Sequence, residues 1–238
     1  MISVFLPVYN EEKILENNAN KVYNNLKNIT RDFEILIVDD SSTDKTSDIG
    51  KRLSKNIKIK YLRYNNGPSR RENLAVSFGK AKGDIIVFMD TDLAVDLEAL
   101  PKIISNVGKY DIAIGSRYVK GARVKRTYFR LLLSKFYNYF VRAYFRSRIR
   151  DHQCGFKAFK KKVILKLVKK MSYDKTFRRG WFWDAEMLML AQRLGYKIRE
   201  IPVKWKYGEK STFNLKRELR MLFYILHVKK RLRIELRK

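Results

Sequence analysis

The chain has 238 residues, 45% of them apolar, which is enough for one large folded domain and too apolar for a disordered chain. Its formal charge of +29 is uneven: residues 1–116 carry 17 basic and 16 acidic side chains, and residues 117–238 carry 36 and 8. A neutral half joined to a strongly basic half points to a polyanionic partner for the second, either a nucleic acid or an anionic membrane surface. The single cysteine, Cys154, excludes an internal disulfide or a multi-cysteine zinc site and makes the reducing cytosol the default compartment.

Short β-rich runs alternate with longer polar–apolar stretches in the neutral half, the pattern of an α/β domain with a mainly parallel sheet. Ile2–Leu6, Phe33–Val38, Ile57–Tyr64, Asp84–Met89 and Asp111–Gly115 read as strands. Glu11–Ile29, Thr43–Ser54, Ser69–Ala81 and Asp96–Val107 read as helices, the last with Asp96 as N-cap and Pro101 inside its first turns. The opening MISVFLPVYNEE has no basic leader and meets two acids where a secretory h-region would continue, so it reads as a strand and not a signal peptide.

In the basic half, Thr127–Arg146 predicts an amphipathic helix with Leu131, Leu132, Phe136, Tyr139, Phe140, Ala143 and Tyr144 on one face. A compact stretch follows around Gly155–Phe159, then a helix over Trp183–Leu194 that stops at Gly195. Lys197–Trp205 reads as extended and, through Pro202, near a sheet edge. Leu215–Leu236 reads as a last helix with Lys229, Lys230, Arg231 and Arg233 at its end. The longest apolar runs, such as Met221–Val228, fall short of the roughly 18–20 residues that span a bilayer. The organisation is then an α/β half at 1–116, a second half of the same domain at 117–210, and a basic amphipathic helix at 211–238. The run Lys160–Lys162 reads as a solvated face, His227 as packed on the tail helix, and Cys154 as a small buried residue. Gly155 and Phe156 read as a turn and a core aromatic, and Trp181 and Trp183 as core or interface.

Ligands of open α/β sheets sit outside the carboxyl ends of the strands. Those positions are polar here: Pro7-Val8-Tyr9-Asn10-Glu11-Glu12, Asp39-Asp40-Ser41-Ser42 and Asp90-Thr91-Asp92. Carboxylates at three strand ends suit a divalent cation and the hydroxyl and N–H groups of a nucleoside. Asp90 and Asp92 leave a buried strand run on either side of one residue, so both can face one hard cation, Mg2+ or Mn2+; the plainer alternative is a cap on the next helix.

VFLPVYNEE, EILIVDDSSTDKT and GDIIVFMDTDL resemble, in order and spacing, the blocks of glycosyltransferase family 2, the inverting enzymes with a GT-A fold. The resemblance implies that Pro7, Tyr9, Glu11 and Asp39 hold base and ribose, and that Asp90 and Asp92 engage the metal and the donor diphosphate. Where many members show Ala-Arg-Asn, this chain has Ser69-Arg70-Arg71-Glu72-Asn73, so either arginine can fill that place. IAIGSRYVKG, DHQCGFKAF, WFWDAEML and IPVKWKYGEKST resemble the branch that charges dolichyl or other polyprenyl phosphates with one sugar from UDP-glucose or GDP-mannose. That branch implies Arg117, Arg130 and Ser134 as ligands of the acceptor phosphate, and leaves Asp151, Asp184 and Glu186 as candidates for metal support, sugar binding or base. It also implies a peripheral enzyme on the cytosolic membrane face, held by anionic lipid or by a membrane-protein partner. The competing readings are a family 2 transferase with a soluble glycan or protein acceptor, and a basic nucleic-acid binder, which leaves the acidic strand ends unexplained.

Overall fold

The computed structural model describes residues 1–69, 71–125, 128–172, 179–180, 182–206 and 224–229, without the side chains of Phe129 and Arg130. The neutral half forms β1 (Ile2–Val8), α1 (Leu15–Ile29), β2 (Phe33–Asp39), α2 (Thr46–Leu53), β3 (Ile59–Arg63), α3 (Glu72–Ser77), β4 (Ile85–Met89), α4 (Leu100–Lys109) and β5 (Ile112–Ser116). The basic half adds β6 (Arg123–Lys125), α5 (Tyr128–Phe145), β7 (Phe156–Lys160), α6 (Lys161–Met171), α7 (Phe182–Arg193), β8 (Ile198–Pro202) and β9 (Lys204–Lys206). Residues 224–229 are helical, and the rest of the predicted tail helix, with Lys230, Arg231 and Arg233, lies outside the described residues, as do Arg70 and Trp181.

Seven strands make one sheet in the order β3-β2-β1-β4-β7-β5-β8. All neighbours are parallel except β7, which runs antiparallel to both β4 and β5. Strands buried on both faces are mostly apolar, with Ser3, Glu34 and Lys157 among the buried exceptions here. Along β1, Val4 and Leu6 pack with Leu15, Ala19 and Val22 of α1 on one side, while Phe5 joins Phe78, Phe88, Phe159 and α7 on the other. β8 is an edge strand, as Pro202 suggests.

Several elements differ from the sequence reading. The stretch at Gly155–Phe159 continues into strand β7, and α6 follows directly with two of the lysines anchored: Lys160 pairs with Asp111 at 2.9 Å and Lys161 donates to the Ala81 carbonyl at 2.7 Å. Asp96 caps a 3-10 turn through the Glu98 N–H, so α4 starts later and Pro101 falls in its first turn, where a missing N–H costs nothing. Helix α5 buries Asn138, Val141 and Phe145, while Leu132, Phe136 and Tyr139 of the predicted apolar face are 54%, 68% and 68% exposed. His227 is exposed, its ring stacked 6.3 Å from Tyr224. Trp183 and Phe156 are core residues.

Candidate active site

The carboxyl ends of β1, β2 and β4 meet at one sheet edge. Register pairs Pro7 with Val38 and Val8 with Asp39, and the Thr91 hydroxyl donates to the Pro7 carbonyl at 2.9 Å. Pro7, Asp39, Asp90 and Asp92 thus lie at one sheet edge, with Tyr9, 43% exposed, and Glu11 on the segment that follows β1. Asp39 is buried: its Oδ1 accepts from the Ser42 N–H at 2.8 Å, and its Oδ2 accepts from Arg63 at 2.9 Å and from the Tyr61 hydroxyl. Asp40 beside it accepts from the Ser69 N–H and hydroxyl and from Asn73, which pins the start of α3 to the end of β2.

Asp90 and Asp92 flank Thr91, whose carbonyl accepts from buried Asn18 at 2.9 Å, so the backbone between the carboxylates is fixed. Arg71, whose φ is +87°, reaches Asp90 Oδ1 at 2.8 Å and lies 3.5 Å from Asp184 Oδ2. Burial opposes its charge, but Asp90 and Asp184 outweigh that and raise its pKa. Burial first, then Asp90, raises the pKa of Asp92. Opposite Asp90 stands Gly155, where an added Cβ would lie 1.7 Å from Asp90 Oδ2, and whose carbonyl accepts the Asp90 N–H at 3.0 Å. Asp184, on the almost wholly buried α7, is neutralised by Lys157, itself fully buried, at 2.6 Å. A buried carboxylate requires such a partner.

These residues fit a divalent cation of the hard class. The donors are carboxylate oxygens, Asp90 is 44% exposed, and a side chain at position 155 would fill the cradle beside it. Among the described residues no three or more His, Cys, Asp or Glu converge.

Beyond β5, Arg117 forms a two-pronged pair with Asp151, Nε to Oδ2 at 2.7 Å and Nη2 to Oδ1 at 2.8 Å, and its own N–H adds 2.9 Å to Oδ2. Burial raises the Asp151 pKa and Arg117 more than reverses it, leaving the carboxyl below its ordinary value. Arg117 also lies over Tyr118 at 5.4 Å and Trp205 at 5.7 Å. The Tyr118 hydroxyl bonds Ser134 of α5; the side chain of Arg130 lies outside the described residues. One short stretch, Asp151–Gly155, thus holds both ends of the site, Arg117 through Asp151 and Asp90 through Gly155. Between them His152 is buried, with Nδ1 3.1 Å from Asn138 Oδ1 and Nε2 2.8 Å from the Ser147 hydroxyl. Burial lowers its pKa to about 4. Glu186 binds Arg179 at 3.3 Å and the Tyr224 hydroxyl at 2.5 Å, and Arg179 reaches on to Glu72 of α3 at 3.2 Å. Each of the three open carboxylates, Asp151, Asp184 and Glu186, therefore has a cationic partner.

The family model described as glycosyl transferase family 2 matches residues 3–168. The chain belongs to that family. This family 2 glycosyltransferase is 35% identical over 223 residues to glycosyltransferase AglD of Haloferax volcanii, covering 92% of the chain and 35% of AglD. It is 31% identical over 233 residues to dolichyl-phosphate beta-glucosyltransferase ALG5A of Trichomonas vaginalis, covering 92% of the chain and 70% of that protein. The chain thus spans little more than a third of AglD. Among solved structures it resembles glucosyl-3-phosphoglycerate synthase of Mycobacterium tuberculosis in complex with Mn2+ and UDP, at TM-score 0.66 and 17% identity, over 98% of this chain and 79% of that one. It also resembles mannosyltransferase PcManGT of Pyrobaculum calidifontis with GDP-Man and Mn2+, at TM-score 0.60 and 18% identity, over 92% and 60%. At these identities the likeness shows the shared GT-A fold.

Sequence reading of this glycosyltransferase missed Lys157, Arg179 and the second role of Gly155. For Lys157 the block DHQCGFKAF carried the signal, because a lysine inside an otherwise apolar strand run requires a buried acid.

Proposed function

We propose that this glycosyltransferase moves one hexose from a nucleotide-diphosphate sugar, UDP-glucose or GDP-mannose, to dolichyl or another polyprenyl phosphate at the cytosolic face of a membrane. The observation that carries the reading is the stretch Asp151–Gly155, which couples Arg117 to the same short segment that seats Asp90. Relatives named dolichyl-phosphate beta-glucosyltransferase, ALG5A among them, support the acceptor class.

Asp90 and Asp92 would hold Mg2+ or Mn2+, which on binding offsets the charge that builds on the departing diphosphate. Pro7, Tyr9, Glu11 and Asp39 lie where base and ribose enter. A phosphate monoester is already an anionic nucleophile near neutral pH, so the acceptor needs positioning more than a general base. Arg117 is suited to positioning it, since Asp151 fixes the guanidinium plane through Nε and Nη2, and Nη1 has no hydrogen-bond partner among the described residues. Ser134 and Arg130 would complete the phosphate site from α5. Attack from the face opposite the diphosphate inverts the anomeric centre.

No helix among the described residues is long and apolar enough to cross a membrane. The exposed ridge Tyr128, Leu132, Phe136 and Tyr139 of α5 supports docking on the bilayer surface, where the acceptor's chain resides. The test is a donor screen with polyprenyl phosphate, Mg2+ or Mn2+, and each nucleotide sugar. A lipid-linked hexose of inverted configuration is expected, lost in Asp90→Asn and in excess chelator. Transfer to a soluble glycan and none to lipid phosphate would overturn the reading.

A further inference from the structure

Between α5 and β7 the backbone of residues 148–153 runs outside any helix or strand. Its six consecutive N–H groups all donate to side-chain oxygens: Arg148 to Gln192 Oε1 at 2.7 Å, Ile149 to the Ser147 hydroxyl at 3.2 Å, Arg150 to Glu200 Oε2 and Asp151 to Glu200 Oε1 at 3.0 Å each, His152 to Asn138 Oδ1 at 3.0 Å, and Gln153 to Asp151 Oδ1 at 3.2 Å. Side chains, and not a backbone ladder, therefore set the path of this segment, and an N–H that loses its acceptor must shift or turn to water. Glu200 alone among these acceptors takes two successive N–H groups, one on each carboxylate oxygen. A glutamine there offers a single oxygen and turns its NH2 towards the second N–H.

Glu200 lies on β8, whose register sets it beside Ile114 of β5 and sets Pro202 beside Ser116. The Val203 N–H donates to the Ser116 carbonyl at 3.3 Å, and Arg117 is the next residue along. One strand thus fixes both members of the Arg117–Asp151 pair, Arg117 through the pairing of β5 with β8 and Asp151 through the Glu200 carboxylate. Both oxygens of buried Asp151 are committed to Arg117 and to the Gln153 N–H, so a shift of its backbone is carried to the guanidinium. We propose that Glu200 is a positioning residue for sugar transfer: it holds Asp151 so that Arg117 meets the acceptor phosphate at a fixed angle. This rests on the reading of Arg117 as a ligand of that phosphate. Glu200 acts through Asp151, and its contribution is geometric: a bidentate contact with phosphate depends on the plane of the guanidinium as well as on its charge.

The experiment compares the wild type with Glu200→Gln and with Gln192→Ala, which releases Arg146 and Arg148 at the far end of the segment. Melts confirm folding first; if Glu200→Gln unfolds, Glu200→Asp, which keeps both oxygens on a shorter arm, is read in its place. Two quantities are measured: steady-state rates with a short water-soluble prenyl phosphate, and hydrogen exchange of the Arg117 Nε–H by NMR, its signal assigned by its loss in Arg117→Lys. Glu200→Gln should raise KM for the prenyl phosphate by about 10–100-fold while kcat stays within about threefold. Exchange at Arg117 Nε should quicken by about tenfold as its bond to Asp151 loosens. His152 is held at its N–H and at both ring nitrogens, so the disturbance stops short of Gly155 and KM for the nucleotide sugar stays within about twofold. Gln192→Ala should match the wild type in both measurements. Unchanged exchange at Arg117 in Glu200→Gln overturns the proposal, as does an equal rise in KM for the nucleotide sugar. Equal effects of Gln192→Ala overturn it too, by reducing Glu200 to one of several ties on a loop. If exchange quickens as expected while no prenyl phosphate accepts sugar from the wild type, Glu200 still positions Arg117 and the proposed reaction is what fails.

Discussion

Gly155 leaves no room for any side chain, because Asp90 already occupies the position a Cβ would take. Gly155→Ala is expected to push that carboxylate aside and lower Mn2+ affinity and turnover by about 10–100-fold, the usual effect of disturbing a ligand's support. A Mn2+ titration beside a thermal melt checks this, and an unchanged Mn2+ affinity would remove the cradle. Asp90 and Asp92 were legible in the sequence as a spaced pair after an apolar strand. Gly155 was not, because its contact with Asp90 is made across the sheet through β7 and leaves no local pattern. His152 makes a second prediction at this scale. Its pKa falls from 6.5 to about 4 on folding, chiefly through burial. The unfolded chain therefore takes up a proton that the fold refuses, and stability is lost as pH drops from 6.5 towards 4. The loss from this one group is about 3 kcal/mol. Denaturant titrations at several pH values should show the gap between wild type and His152→Gln narrowing over that window; a constant gap refutes it.

Helix α5 shows what periodicity cannot decide. The sequence places a helix there within a residue at each end, but the chain carries apolar groups on two faces, and Val141 and Phe145 pack inward while Leu132 and Phe136 remain outside. Only the partner elements determine which stripe becomes core. Phe136→Asp should thus leave the melting temperature unchanged within a few degrees, yet cut transfer to long-chain acceptors by tenfold or so while sparing short soluble ones. Equal activity on both acceptors would detach the ridge from the membrane. Strand β7 and helix α6 were illegible for a different reason. Lysines at 157, 160, 161 and 162 mask the apolar pattern, and basic residues in the first turn of α6 oppose its dipole. Tertiary partners compensate: Asp184 for Lys157, Asp111 for Lys160, the Ala81 carbonyl for Lys161.

Across the whole molecule the division of charge at residue 116 is not a division of packing. The neutral half supplies β4 and β5, yet these strands do not pair; β7 from the basic half lies between them and pairs with both. A ribosome delivering this chain in sequence therefore releases β4 and β5 long before the strand that joins them. Until Lys160 has emerged, two apolar strands have open edges, the condition under which nascent chains seek wrong partners. Residues 1–116 expressed alone should consequently aggregate or stay molten, detected by dye binding and absent near-UV circular dichroism. Co-expression with 117–238 should recover soluble protein if the two pieces find each other. A well-folded monomer from 1–116 alone would show that the first four strands need no help. Otherwise vectorial synthesis itself imposes a waiting period, and chaperone protection of the nascent neutral half becomes part of how this enzyme reaches its folded state.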